Sequence, residues 1–464
     1  MQRSVVVVGA GPAGIMAATE AATRGCRVTL VDEASLPGGQ IYRQAAPALT
    51  GGDYADPAES ARKRALLGRF SAVLPQIDYR PATSVYAVFG NGEVHISEGG
   101  TTEVLNSDAV VLATGVRELA IPFPGWTIPG VMFAGGAQAI LKAQRVIPGR
   151  NIVVAGCGPL PIVVAAQLVR AGGTVAALAP LKPMIAALRH PAALWHGRSI
   201  VLEGLRYMWS VRRVPRLMGH VPVRAIGRER LEGVVLARVD DNGSAIAGTE
   251  REISCDLLAV NYGFVANSEL AAMTGVRMRH DPLRGGWLPI ADEFGRTSVS
   301  RIFVAGDAAG LRGALNAENE GIIVGAAAAE ARATGAPAMT PTLAGAILNR
   351  RRSQLFQEAV GPLLQVSDGL WNIVTDETVV CRCENVSLGA IRATLSGGHT
   401  TPNAIKRNVR AGMGWCGGRS CLRSVAALAK LHAGVEPAAM MTPRPMNRPV
   451  TFAAIARQKK VAVK

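Results

Sequence analysis

The chain has 464 residues, 49% of them hydrophobic and 18% charged, and carries a formal net charge of +16. That length supplies material for roughly three domains with cores of their own, and the composition excludes a disordered polymer. Aromatics make up only 5% and the arginines are scattered rather than set in a basic stripe among aromatics. Nucleic acid is therefore excluded as a partner, and the charge is read as solubility plus attraction to acidic surfaces.

The first element is an apolar run over 4–8, preceded by Arg3 and broken after a strand's length by Gly9-Ala10-Gly11-Pro12-Ala13-Gly14. The glycines end it too early for a secretion signal, so it is a buried first strand. A strand, G-x-G-x-x-G and an alanine-rich helix form the dinucleotide-binding fingerprint. Gly9 serves the tight turn, Gly11 the approach of the pyrophosphate and Gly14 close helix–strand packing. Pro12 and Ala13 open a helix whose N-terminus attracts phosphate. The next strand, 28–31, ends in Asp32-Glu33, with Asp32 18 residues past Gly14. An acid there accepts from ribose hydroxyls; Asp32 comes first, with Glu33 as the near alternative. Further on come Gly38-Gly39-Gln40-Ile41, an apolar strand over 109–112 ending in Thr114-Gly115, and a late strand over 301–305 ending in Gly306-Asp307. Together these features predict FAD binding.

A second strand, glycine-rich turn and helix occur over 152–170, about 147 residues after the first, so a second nucleotide-binding fold is expected. Because the strands at 109–112 and 301–305 suit the closing strands of the first fold, the second is expected to be inserted within it. Its turn, Gly156-Cys157-Gly158-Pro159-Leu160-Pro161, has proline at the third glycine position. Its second strand, 174–178, ends in Ala179-Pro180, with neither a ribose acid nor an arginine pair for a 2′-phosphate. NAD(P)H binding is not expected there; another nucleotide or a purely structural fold is. The stretch 188–220, with His190, His196 and His220, reads as an amphipathic helical insertion with Trp195, Tyr207 and Trp209 packed inside, and alternatively as a docking surface. Glu318 and Glu320 read as structural or flavin-proximal.

The seven cysteines include no C-x-x-C pair, so no redox disulfide is expected. Cys26, Cys157 and Cys255 read as packed residues. Cys381-Arg-Cys383 and Cys416-x4-Cys421 are separated by 32 residues and stand among glycines. Four thiolates in two close pairs suit an iron–sulfur cluster, and a C-x-C pair is unusual for tetrahedral zinc.

The first fold resembles the thioredoxin-reductase-like flavoproteins, and the resemblance puts Gly39 and Gln40 by the isoalloxazine and Asp307 on the ribityl chain. Arg407, Gly412, Met413, Gly414, Cys416, Gly418, Arg419 and Cys421 are similar to the [2Fe–2S] domain named from bacterioferritin-associated ferredoxin. The whole chain resembles the α (A) subunits of opine oxidases, hydroxyproline and proline dehydrogenase complexes, and the B subunit of hydrogen cyanide synthase. That likeness implies an α/β protein with two Rossmann-like folds, the second inserted in the first, plus a small helical [2Fe–2S] domain. The expected boundaries are 1–120 and 290–335 for the FAD fold, 121–289 for the degenerate fold and 336–377 for a helical connector. The cluster domain takes 378–433, and 434–464 is a basic tail, disordered or draped over a neighbour. FAD would be held by Gly9, Gly11, Pro12, Ala13, Gly14, Asp32, Glu33, Gly39, Gln40, Thr114, Gly115, Gly306 and Asp307. The cluster would be held by Cys381, Cys383, Cys416 and Cys421.

The likeness further implies an electron-transferring subunit of an amino-acid dehydrogenase that works on a C–N bond. An FAD-containing β subunit would oxidise the substrate, a small γ subunit could complete the complex, and FMN could sit at a subunit interface. An external acceptor would take the electrons. The rival is a stand-alone NAD(P)H-dependent ferredoxin-type reductase. A metal-handling protein is disfavoured by the intact FAD elements. No apolar stretch approaches the ~18 residues of a membrane helix, so the chain is expected in the cytoplasm, or at the inner membrane face through its complex.

Overall fold

The computed structural model describes residues 2–49, 52, 54–183, 195, 197–331, 335–434, 443 and 446–459. Two parallel sheets organise the first 330 residues. The first runs in the order Ile302–Val304, Ala109–Leu112, Ser4–Val8, Arg27–Val31, Ile77–Arg80. The second runs Thr174–Pro180, Asn151–Gly156, Leu257–Asn261, Val131–Phe133. The second sheet lies in the chain between Ala109–Leu112 and Ile302–Val304, so it is inserted in the first fold. Two strands, Val116–Glu118 and Phe264–Ala266, carry the chain across and back, and they pair antiparallel with Phe264 opposite Glu118.

The strands are continuously apolar because both faces are covered. Val5, Val6, Val7 and Val8 are all at most 5% exposed. On one face of the first sheet lie the helices Pro12–Thr23 and Ala314–Ala329, which approach closely because small residues line the seam. A Cβ on Gly321 would stand 2.2 Å from the Ala13 carbonyl oxygen, and one on Gly325 2.5 Å from that of Ala17. On the other face an antiparallel sheet of Ser84–Val88, Glu93–Glu98 and Thr101–Asn106 buries Val85, Val88, Val94 and Ile96 against Val6, Val8 and Val31. The second fold repeats this plan with His220–Gly227, Leu231–Arg238 and Arg251–Ser254.

After the helix Pro341–Val360 comes a small unit of two short strands and the helices Leu388–Ser396, Pro402–Val409 and Leu422–Ala433. Each of the first two of these three helices is capped by a hydroxyl, Ser387 or Thr401, accepting from an amide three residues on. Leu388, Ile391, Val425 and Leu428 share one apolar core with Val153, Val234 and Leu236. The cysteine-bearing unit is thus packed onto the second fold rather than tethered beside it.

Two expectations need correction. Of Trp195, Tyr207 and Trp209, it is Tyr207 that turns inward; Trp195 and Trp209 are 69% and 68% exposed. Tyr207 donates to the buried Glu59 carboxylate, while Trp209, two residues on, faces outward; Arg198 and Arg212 stack over the Trp195 and Trp209 rings. His220 is buried, and His190 and His196 lie outside the described residues. The described part of the tail, 446–459, packs on the chain's own first fold: Ala454 is buried and Lys459 N–H donates to the Thr102 carbonyl at 2.8 Å. Lys460 lies outside the described residues.

Candidate functional site

The turn between Ser4–Val8 and the helix Pro12–Thr23 is shaped by its glycines. Gly9 has φ +104°, and a Cβ there would meet the Ala113 carbonyl oxygen at 2.5 Å; one on Gly14 would meet that of Gly9 at 1.7 Å. Gly11 differs, since the nearest atom to its Cβ position is Gly39 Cα at 3.8 Å. Among the described residues there is room for a Cβ at 11, and the residue faces the cavity. Gly11 offers no side-chain cap to the helix, which leaves the Ala13 and Gly14 amides for a ligand. These features fit a pyrophosphate.

Asp32 braces this turn. Its carboxylate accepts from the Ala10 amide and, at 2.6 Å, from the Ala34 amide. Burial pushes its carboxyl above the usual range, against the pull of those two amides. Glu33 is exposed and pairs instead with Arg448 at 2.5 Å. Gly39 packs on Gly11, and Gln40 lines the cavity while accepting from Arg43 at 2.7 Å. Thr114 and Asn267 exchange hydrogen bonds at 2.6 and 2.9 Å, and Gly115 accepts from the Asn267 amide at 3.0 Å, fixing the crossover between folds. Beyond Gly306, Asp307 accepts from the amides of Arg312 and Gly313 at 2.8 and 3.0 Å, with burial pushing its carboxyl up. Glu318 accepts from the Tyr42 hydroxyl, and Glu320 pairs with Arg312.

One cavity of about 2290 Å³ joins these residues to the rest of the molecule. Its walls carry Gly9, Gly11, Asp32, Thr114 and Asp307 at one part and Cys157, Gly158 and Pro159 of the second fold at another; Cys416, Arg419 and Ser420 of the cysteine unit also line it. Single-ligand pockets run roughly 300–1,000 Å³, so this one is larger than one cofactor requires. In the second fold, prolines at 159 and 161 remove two amides from the start of the helix Leu160–Arg170. Cys157 is buried, its thiol pushed up to about 11 by burial.

The four late cysteines come together as two pairs. Cys381 contacts Cys421, and Cys383 contacts Cys416. The hydrogen bond from Cys421 holds the Cys381 thiol down to about 6, while the Cys421 thiol is pushed up by the same bond. Backbone amides of Gly412, Glu384 and Cys383 also point at the Cys381 sulfur. Among the described residues no three His, Cys, Asp or Glu side chains converge as a single metal ion requires. A binuclear cluster makes a different demand, because two irons divide four thiolates between them and amides around the sulfurs stabilise their charge. Two sulfur pairs, with backbone amides directed at Cys381 and Cys383, fit that demand.

Several contacts had no signal in the sequence. Lys142 donates to Glu59 and to the Ile41 carbonyl, both at 2.8 Å, and Tyr207 donates to the other Glu59 oxygen at 2.7 Å. Glu118, on the crossover strand, accepts from the Gly135 amide and from Asn261; burial pushes its carboxyl up to about 7. Arg117 donates to the Arg419 carbonyl at 2.6 Å.

Comparisons with known proteins agree with this geometry. Residues 3–321 match the family model "Pyridine nucleotide-disulphide oxidoreductase" and 379–430 match "BFD-like [2Fe-2S] binding domain". The A subunit of opine oxidase from Rhizobium meliloti is 33% identical over 98% of this chain and 87% of its own length. The HcnB subunit of hydrogen cyanide synthase from Pseudomonas aeruginosa is 32% identical over 97% of each chain. The crystal structure of L-proline dehydrogenase from P. horikoshii superposes with a TM-score of 0.72 at 21% identity, covering 98% of this chain and 80% of that one, and so shares the fold. The protein is an oxidoreductase that binds FAD and a [2Fe–2S] cluster. It belongs to the pyridine nucleotide-disulphide oxidoreductase family, together with the A subunit of opine oxidase and the HcnB subunit of hydrogen cyanide synthase.

Proposed function

We propose that this chain is the electron-relaying α subunit of a heteromeric dehydrogenase that oxidises the C–N bond of an amino acid or opine. The observation that carries the reading is the single cavity shared by the glycine turn, Asp307 and the loop between Cys416 and Cys421. FAD bound there accepts two electrons and releases them singly, and a [2Fe–2S] cluster takes one at a time. In this reading Gly9, Gly11, Pro12, Ala13, Gly14, Asp32, Gly39, Gln40, Thr114, Gly115, Gly306 and Asp307 hold FAD, with Glu33 behind them. Cys381, Cys383, Cys416 and Cys421 hold the cluster. The boundaries 1–120 with 290–335, 121–289, 336–377, 378–433 and 434–464 serve as the working division into units.

The substrate would be transformed on an FAD-containing β subunit. The excess cavity volume favours a second flavin, FMN, at the junction with that partner, and a γ subunit could complete the assembly. The chain's own residues then bind, orient and shield. The second fold, short of amides and of a ribose acid, supplies a wall rather than a nicotinamide site. Among the described residues no helix is long and apolar enough to cross a membrane; a position in the cytoplasm, or at the inner membrane face through the complex, remains part of the proposal.

The test is to purify the chain alone and with its co-expressed partner subunits, then follow dye reduction driven by amino acids and opines. Activity should need the partner, and NADH or NADPH should not bleach the flavin of the lone chain. Amino-acid oxidation by the lone chain would refute the relay role; rapid bleaching by a nicotinamide nucleotide would favour the reductase alternative.

A further inference from the structure

The C-terminal segment 446–459 returns to the first fold at the cavity. Asn447 N–H donates to the Tyr86 carbonyl at 2.7 Å, Lys459 N–H to that of Thr102 at 2.8 Å, and Ala454 is 3% exposed against that sheet. Between these anchors, Asn447 and Arg448 line the same cavity as Gly11, Asp32 and Glu33. Arg448 is held by Glu33, the immediate neighbour of the carboxylate that braces the glycine turn. The Asn447 carbonyl in turn accepts from Arg419 at 2.6 Å, and Arg419 lies between Cys416 and Cys421.

Arg117 is paired with Glu269 at 2.7 Å and Arg448 with Glu33 at 2.5 Å, while Arg419 donates to carbonyl oxygens of Asn447. Three guanidinium groups stand along this wall, with Glu269, Glu33 and Asp32 as its carboxylates. A diphosphate in the cavity would be met by the Arg448 guanidinium on its wall, which suits it better than an ammonium because its forked donors match phosphate oxygens.

We propose that the C-terminal segment is an FAD-retaining wall: Arg448 secures the adenosine-diphosphate half of the cofactor, and Arg419 ties this wall to the cluster loop. The inference rests on the FAD assignment. Losing Arg448 removes a charge-assisted contact and unties the segment from Glu33. Losing Arg419 frees the other end of the same wall. FAD therefore depends on residues more than 380 positions from the glycine turn, and the cluster loop contributes to holding it.

The experiment uses the full-length holoprotein. FAD release after dilution is followed by the rise in flavin fluorescence, with circular dichroism and cluster absorbance as checks on folding. Arg448→Ala and Arg419→Ala should release FAD about tenfold faster than the unaltered chain. Arg457→Ala, which removes an equal charge from an exposed site on the same segment, should leave the rate unchanged. Ala454→Glu should unseat the anchor and match Arg448→Ala. Folded Arg448→Ala protein releasing FAD within twofold of the unaltered rate would overturn the proposal, as would an equal effect from Arg457→Ala. Absence of FAD from the unaltered protein would instead indict the cofactor assignment itself.

Discussion

Replacing Lys142 by methionine tests the buried tie between the two folds. Lys142 and Glu59 are each 6% exposed, and the 2.8 Å ion pair is completed by the Ile41 carbonyl and the Tyr207 hydroxyl. Methionine fills similar volume, so cavity formation contributes little. What remains is a buried carboxylate that has lost its cation, a change that costs about 3–5 kcal/mol. At roughly 2 °C per kcal/mol for a unit of this size, Tm should fall by about 6–10 °C. The Ile41 carbonyl also loses its donor, so the Gly38–Ile41 loop should loosen and flavin fluorescence should rise. Replacing Glu59 by leucine together with Lys142 by methionine should recover most of the loss, since neither charge is then left unpaired. Calorimetry of both variants decides the matter. A loss under about 1 kcal/mol for Lys142→Met, or no recovery in the double variant, would show that the pair is solvated and the folds are not held there.

Cys383→Ser and Cys421→Ser break different sulfur pairs, so each should abolish the EPR signal of the reduced cluster; Cys157→Ser should leave it intact, and a signal surviving either of the first two removes the ligand assignment. Gly14→Ala places a methyl where the Gly9 carbonyl stands 1.7 Å away, so it should yield folded protein with far less bound FAD, read from the 450 nm absorbance per chain (a wavelength of about 450 nm being the usual flavin band). Glu118 offers a pH test. Its carboxyl lies near 7 in the folded chain against 4.5 ordinarily, because burial disfavours the charged form. A raised folded value gives stability that is complete below the unfolded value and is lost as pH rises through the folded one, here between about 4.5 and 7. Glu118→Gln should therefore gain up to about 3 kcal/mol over the unaltered chain above pH 7, a gain that vanishes near pH 4.5, as measured by urea titration across that range. An equal difference at both ends would show that Glu118 does not titrate there.

The sequence determined what local chemistry and short spacing determine. Gly9, Gly11 and Gly14 announce a nucleotide-binding turn, because strand, glycine spacing and helix lie within about 20 residues. Pro161 and Ala179-Pro180 announce a second fold without its fingerprint in the same way. The cysteines were legible because two close pairs among glycines suit few centres besides a cluster. Only the tertiary structure decided which residues distant in the chain meet. Nothing in the spacing puts Lys142 beside Glu59, turns Tyr207 inward but Trp209 outward, or brings Arg448 to Glu33. Each depends on how the sheets and helices pack, and side chains of like character take opposite fates on two faces of one helix. The cavity is of the same kind: its parts are motifs readable in sequence, but their union in one space follows from the core that the cluster unit shares with the second fold.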